Sequence, residues 1–147
     1  MHAMRDLPTL TFTHHDGGRA ERGYRGETDD CVVKSIALGL QKPYDVVHRE
    51  LAKRGRRNGR GTPTFIWRSY LRHFPEVVEM KDIPERRMNF WRFFHKHQQG
   101  TFLIVVTKHL TIIRDGVVLD ELPPRPRMLV RAAFRVELPS EWSDYVI

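Results

Sequence analysis

The sequence predicts an α+β fold in which N-terminal helices pack on a C-terminal antiparallel sheet. Between residues 31 and 100, apolar residues recur at the three- to four-residue spacing of amphipathic helices. From residue 101 onward, β-branched and aromatic residues dominate, which is typical of strands. Helices that precede strands in this order indicate an α+β fold with the helices on one side of the sheet.

The first elements are one short strand and two helices. Residues 10–13 are a strand candidate. Asp30 occupies the position of a helix N-cap, just before an apolar periodic run that predicts a helix from 31 to about 40. Pro43 suits the first turn of a second helix, which we expect from 44 to about 54.

Two further helices are expected before the sheet. Aromatic and aliphatic residues between 65 and 74 predict a third helix that ends at Pro75. Pro84 would open a fourth helix, and Gly100 would end it as a C-cap.

The sheet is expected to form around a tight turn. The strand-type stretch 101–114 leads into Asp115-Gly116, a strong signal for a two-residue hairpin turn. Residues 117–120 would be the partner strand. Several prolines then interrupt the ladder, and residues 128–138 alternate well enough for one more strand.

Length and composition indicate one globular domain over residues 1–147. With 40% hydrophobic and 29% charged residues, the chain resembles neither a membrane protein nor a disordered one. No apolar run approaches the roughly 20 residues that span a bilayer. A single cysteine allows no intrachain disulfide, and no secretory signal is visible, so we expect a cytoplasmic protein, in the host cytoplasm if a phage encodes it.

The net charge of +7 favours acidic partners, which could be nucleic acid, an anionic surface or an acidic protein, and it does not choose among them. Basic residues crowd one glycine-containing segment, which we interpret as a mobile, solvated loop that could also bind nucleic acid through phosphates. Its basic residues are Lys53, Arg54, Arg56, Arg57 and Arg60.

Cys31, the only thiol, lies in the first turn of a predicted helix. The helix dipole lowers the pKa of a thiol at that position, whereas the neighbouring Asp29 and Asp30 oppose the thiolate. Cys31 is therefore either a nucleophile or a small buried core residue, and a nearby imidazolium would favour the first.

Among the eight histidines, His109 stands out because it lies in a strand directly after the most apolar segment. Histidines on helices, His48 among them, are expected on the solvated surface. A two-residue turn at Asp115-Gly116 would pair Thr111 with Asp120 and put His109 one diagonal step away from Asp120, on the same face. A carboxylate there can orient the imidazole and stabilise its charged form.

Four stretches of the chain resemble a family of small bacterial and phage proteins that is itself similar to the papain-like cysteine peptidases. They are DGGR at 16–19, GYRG at 23–26, TDDCVVKSIA at 28–37 and HLTIIRDGVVLD at 109–120. The resemblance is weak between residues 52 and 99. It implies a papain-like fold with Cys31 as nucleophile, His109 as general base and Asp120 as the orienting carboxylate.

The chain departs from the papain-like pattern at the oxyanion donor. Those enzymes usually place a glutamine shortly before the cysteine, whereas this chain has Arg25 there and no Gln or Asn before Cys31. The backbone N–H of Cys31, Arg25 or Thr28 could take over that function. The departure also leaves open a degenerate member of the family that binds without catalysing.

No metal or organic cofactor is expected. His14, His15 and Asp16 are adjacent in sequence, so they point to alternating sides of a strand, and no second cluster has zinc-ligand spacing. Neither GxxxxGK[ST] nor GxGxxG is present.

The function expected from these residues is a small cysteine hydrolase, a peptidase or isopeptidase with a peptide or protein substrate. Two alternatives remain. One is a binding module that contacts nucleic acid through its basic surface, and the other is a phage-encoded protein that blocks an acidic host factor.

Overall fold

The computed structural model describes residues 10–24, 27, 29–81, 83 and 87–138. These residues form four helices and a six-stranded sheet, which establishes an α+β fold. The helices are α1 (Cys31–Leu40), α2 (Tyr44–Lys53), α3 (Thr64–Leu71) and α4 (Phe90–Lys96). The strands are β1 (Phe12–His14), β2 (Val77–Glu79), β3 (Thr101–Val106), β4 (His109–Arg114), β5 (Val117–Asp120) and β6 (Val130–Val136).

The strand order in the sheet is β1-β5-β4-β3-β6-β2. All neighbouring strands are antiparallel except β1 and β5, which run parallel. The expectation of a purely antiparallel sheet is therefore wrong at this edge. A local sequence pattern can indicate a strand, but its partner and direction depend on contacts that are distant in sequence.

The hairpin between β4 and β5 has the predicted register. Asp115 and Gly116 adopt φ values of 47° and 76°, as a two-residue type I′ turn requires. Ile113 pairs with Val118, and Arg114 pairs with Val117.

The stretch 101–114 is two strands rather than one. A second tight turn at Thr107 and Lys108 reverses the chain, so that Val106 pairs with His109. Lys108 adopts the left-handed φ of 58° that such a turn needs. Neither residue is a typical turn former, so this hairpin could not be predicted from turn chemistry.

The fourth helix is shorter than expected, and one strand was missed. Pro84 lies outside the described residues, but Arg87 to Asn89 are not helical. The helix begins after Asn89, whose side-chain oxygen accepts a hydrogen bond of 2.8 Å from the N–H of Arg92. It ends at Lys96, before Gly100. The short strand β2 pairs with β6 at the sheet edge and lacked a sequence signal.

Apolar residues pack on both faces of the sheet, so the expectation of helices on one side is wrong. On one face, α1, α2 and α3 pack against side chains such as Leu103 and Ile112. On the other face, α4 covers alternate residues of the same strands, Phe102 and Ile113 among them. A sheet covered on both faces explains why β3 and β4 read as nearly continuous apolar runs.

Helix α1 lies unusually close to the sheet. A Cβ atom added at Gly39 would lie 3.0 Å from Cδ2 of Leu103. The Ser35 hydroxyl donates a hydrogen bond of 2.9 Å to the carbonyl oxygen of Leu110 on β4. These contacts fix α1, and Cys31 at its first position, against β4. None of the helices in the described part of the chain is long and apolar enough to cross a membrane.

The close approach of α1 predicts that Gly39→Val destabilises the fold by about 1–3 kcal/mol through overpacking against Leu103. Ala52→Val on the exposed side of α2 is the control for the helix propensity of valine. Urea unfolding of both variants provides the measurement. Equal losses of stability in the two variants would contradict the close packing at Gly39.

Candidate active site

His109 and Asp120 meet across β4 and β5. Nε2 of His109 lies 2.7 Å from Oδ2 of Asp120, and the Thr111 hydroxyl donates to the same oxygen at 2.6 Å. Asp120 is buried, with 3% of its surface exposed. The contact between His109 and Asp120 that the strand register predicts is confirmed. Asp120 lies opposite Thr111, and its carboxylate is therefore on the same face of the sheet as His109.

Cys31 lies on the other side of the His109 ring. Its thiol is hydrogen-bonded to the His109 side chain and accepts a hydrogen bond from the backbone N–H of Leu110. Because Nε2 of the ring is bound to Asp120, Nδ1 is the nitrogen available to the thiol. The structure therefore brings together the three residues predicted from the sequence. Cys31 lies at the start of a helix, and His109 and Asp120 lie on two adjacent strands.

The contacts favour a charged thiolate and imidazolium. Burial opposes the thiolate, but the hydrogen bonds from His109 and Leu110 and the nearby charge of Lys34 outweigh it, so the pKa of Cys31 is lowered. Burial also opposes the imidazolium, but the hydrogen bonds to Asp120 and Cys31 raise the pKa of His109 to about 9. Both shifts favour the thiolate–imidazolium ion pair, which is the reactive form of such a dyad.

A network of charged side chains supports Asp120 from the side away from the histidine. Nζ of Lys34 lies 2.7 Å from Glu121 and 3.5 Å from Asp120. Arg19 binds both carboxylate oxygens of Glu121, at 2.7 and 2.8 Å, and holds the pKa of Glu121 at about 2. These residues were not predicted from the sequence. One signal existed, because Lys34 lies one helical turn after the cysteine and shares its face.

Asp30 stands at the N-cap of α1 as expected, but its carboxylate makes no capping hydrogen bond. It accepts a hydrogen bond of 2.8 Å from the hydroxyl of Tyr44 and binds the Arg19 guanidinium at 3.2 Å. Burial and this hydrogen bond raise the pKa of Tyr44. The expected opposition of Asp30 to a Cys31 thiolate is reduced, because Arg19 balances the carboxylate.

A second buried network surrounds Glu27, on the segment that precedes Cys31. Glu27 binds Nε2 of His48 at 2.8 Å and Nη2 of Arg56 at 3.0 Å, and it accepts a hydrogen bond from the N–H of Gly59. Burial opposes the charge of Glu27, but these bonds lower its pKa to about 2. The network ties the segment before the cysteine to α2 and to the basic loop.

Two sequence interpretations are corrected by this network. His48 is not on the solvated surface, because only 6% of it is exposed. Arg56 does not belong to a solvated loop, because its side chain is fully buried against Glu27. Both expectations failed because Glu27, a lone carboxylate far from either residue in sequence, gave no sign of its burial.

The remaining basic residues of that segment differ from Arg56. Lys53, Arg54, Arg57 and Arg60 are exposed, and Arg54 lies over the ring of Tyr70 at 5.3 Å from its centroid. The predicted binding surface for nucleic acid thus keeps four of its five cations.

The residues considered as metal ligands are described by the structure, whereas the expected oxyanion donors are not. Arg25 and Thr28 lie outside the described residues. His15 and Asp16 accept hydrogen bonds from backbone N–H groups of the turn that follows them. Among the residues that the structure describes, no three His, Cys, Asp or Glu side chains are grouped to hold a metal ion.

The site opens into a cleft of about 670 Å³. Cys31 and His109 lie in its wall together with Asp29, Gly61 and Lys108. The cleft therefore gives a substrate access to the thiol.

Comparisons of the chain with models of known protein families, with curated proteins and with solved structures find no match. Inference about the function therefore rests on the geometry of the site.

The first prediction from this geometry concerns thiol reactivity. Because the pKa of Cys31 is lowered mainly through His109, iodoacetamide should alkylate Cys31 at pH 6–7, below the ordinary thiol pKa of about 8.5. His109→Ala should slow the reaction at pH 7 about tenfold or more. His73→Ala, a change at an exposed histidine, is the control. Alkylation only above pH 8 and only in denaturant would identify a buried structural thiol.

The second prediction concerns stability and pH. If the folded protein holds Cys31 as a thiolate and His109 as an imidazolium at pH 7–8, it binds one proton at these two groups. The unfolded chain also binds one there, on the thiol, so the contributions of the two groups cancel. In Cys31→Ala only His109 remains, and its pKa stays raised by Asp120. Its contribution is complete below the unfolded pKa of about 6.5 and is lost as pH rises through the folded pKa.

Urea unfolding across this pH range should therefore show a steeper decline of stability in Cys31→Ala than in the parent protein. Parallel pH profiles would mean that the folded thiol is neutral.

Proposed function

We propose that the protein is a small papain-like cysteine hydrolase that cleaves an amide or isopeptide bond in a peptide or protein. The hydrogen-bonded series Cys31, His109 and Asp120 carries this proposal. A helix that presents a cysteine to a histidine on an adjacent sheet is the arrangement expected of a papain-like fold. A core cysteine would need neither a charged histidine beside it nor a cleft in front of it.

In the proposed reaction, the Cys31 thiolate attacks the substrate carbonyl carbon, and a C–S bond forms while the carbonyl electrons move to the oxygen. When this intermediate collapses, the C–N bond breaks and His109 gives its proton to the leaving amine. Water then attacks the thioester while His109 accepts a proton from it. The C–S bond breaks, the acid is released and the thiolate is restored.

We expect backbone N–H groups at the start of α1 to stabilise the oxyanion. The first intrahelical bond into this turn joins the N–H of Lys34 to the carbonyl oxygen of Asp30. The N–H of Cys31, at the first helical position, has no partner within the helix and lies beside the thiol. Such a donor, together with the helix dipole, suits a developing negative charge.

Asp120 orients the histidine and stabilises its charge. Its two oxygens accept hydrogen bonds from Thr111 and from the backbone N–H of Glu121, in addition to His109. These hydrogen bonds hold the carboxylate in one orientation. Lys34, which lies near both Asp120 and Cys31, is a positioning residue that supports the two negative groups.

The test is acylation by p-nitrophenyl acetate, followed by mass spectrometry of the intact protein and of its peptides. We expect one acetyl group on Cys31 and its loss on incubation in water. His109→Ala should reduce the acylation rate strongly, and Asp120→Asn should keep the fold but reduce it by about 10²–10⁴-fold, because an amide stabilises the imidazolium poorly.

His73→Ala should acylate like the parent protein, because this histidine is exposed and distant in sequence from the site. Folding of each variant is checked by circular dichroism. Folded protein without acetyl-Cys31, or acetylation unaffected by His109→Ala, would overturn the proposal and favour a catalytically degenerate binding module.

A further inference from the structure

Most charges that line the cleft are already balanced within the protein. Glu27 is bound by Arg56, and Glu121 is shared by Arg19 and Lys34. These groups hold the walls in place and leave little charge for a ligand. Two charged residues of the cleft differ, because Lys108 and Asp29 are exposed and have no ion pair with any described residue. Asp29 lies two residues before Cys31 in the chain, whereas Lys108 immediately precedes His109.

Lys108 projects from the tight turn that immediately precedes His109, and it lines the cleft. Leu122, two residues beyond Asp120, lines the same cleft with 78% of its surface exposed. It is the most exposed large hydrophobic residue in the described part of the chain. Through these chain neighbours of His109 and Asp120, the cleft offers one exposed cation without an ion pair and one uncovered apolar side chain.

The chemistry of amide cleavage decides which part of a substrate meets this wall. His109 must reach the nitrogen of the cleaved amide bond to protonate it. The part of the substrate on the amine side of that bond, the leaving segment, therefore has to lie beside His109. The acyl segment stays bound to Cys31 and extends toward the opposite wall. Lys108 and Leu122 therefore contact the leaving segment.

Building on the proposed hydrolase function, we propose that the cleft selects leaving segments that carry an acidic residue next to an apolar residue. The Lys108 ammonium binds the carboxylate, and Leu122 covers the apolar side chain. The net charge of +7 acts in the same direction, because it attracts acidic peptides to the protein as a whole.

Acyl transfer tests the leaving-group wall without knowledge of the natural substrate. p-Nitrophenyl acetate acetylates Cys31, and the C–O bond of the ester breaks. The departing p-nitrophenolate takes the proton of His109 and leaves the imidazole neutral. An added peptide amine then competes with water for the acetyl group. Its nitrogen forms the new C–N bond, the C–S bond breaks, and the amine gives up one proton to His109. By microscopic reversibility, the wall that binds a leaving amine also binds the attacking one.

The competing amines are leucyl-glutamate amide, leucyl-glutamine amide and leucyl-lysine amide, and the ratio of acetyl-peptide to acetate is measured for each. We expect the glutamate peptide to exceed the lysine peptide by about fivefold at low salt, with a smaller preference at high salt. Reactions with Cys31→Ala supply the uncatalysed background.

Two variants test whether Lys108 and Leu122 cause this preference. Lys108→Glu should reverse the order of the glutamate and lysine peptides. Leu122→Ala should reduce transfer to all three peptides and leave their order unchanged. Lys96→Glu, at the exposed end of α4, makes the same change in net charge far from the cleft and should preserve the parent order.

The outcomes separate this inference from the function on which it rests. If no acetyl-Cys31 forms, the hydrolase and the inference fail together. If acetyl-Cys31 forms but the ratio of acetyl-peptide to acetate does not depend on peptide charge, the inference is overturned and the proposed hydrolase function stands. The same conclusion follows if Lys96→Glu changes the order of the peptides as Lys108→Glu does.

Discussion

The register of β4 against β5 is the constraint on which the site depends. The two-residue turn at Asp115 and Gly116 sets that register, and it places a carboxylate at the one position where it contacts His109. A shift by one residue would turn the side chain of Asp120 to the opposite face and into apolar surroundings. The histidine would then lose the hydrogen bond that contributes most to its charged form, and the thiol would lose its charged partner.

The cysteine depends on a different set of contacts, which converge on the same strand. The Ser35 hydroxyl and the close packing at Gly39 hold α1 against β3 and β4, and the N–H of Leu110 reaches the thiol directly. Behind the site, Lys34 links α1 to the end of β5 through Glu121. The site is therefore held by helix packing, strand pairing and buried ion pairs together, and each limits the movement of a different side chain of the site.

Sequence reasoning succeeded where the determining interactions are local. The periodicity of α1, the turn at Asp115 and the diagonal contact of His109 with Asp120 all follow from spacing within a few residues. It failed where partners are distant in sequence. The parallel pairing of β1 and the burial of Arg56 against Glu27 need contacts that no short pattern encodes. The hairpin at Lys108 was not predicted for another reason. A residue that is not a typical turn former adopts the left-handed conformation there.

We expect Cys31 and His109 to form a thiolate–imidazolium pair at neutral pH. Nitrogen-15 NMR of the His109 ring is the sharpest test, because the ring shifts distinguish the imidazolium from either neutral tautomer. The ring should be charged at pH 7.5 and lose its proton only near pH 9. A neutral ring at pH 7.5, titrating near the ordinary value of about 6.5, would contradict it.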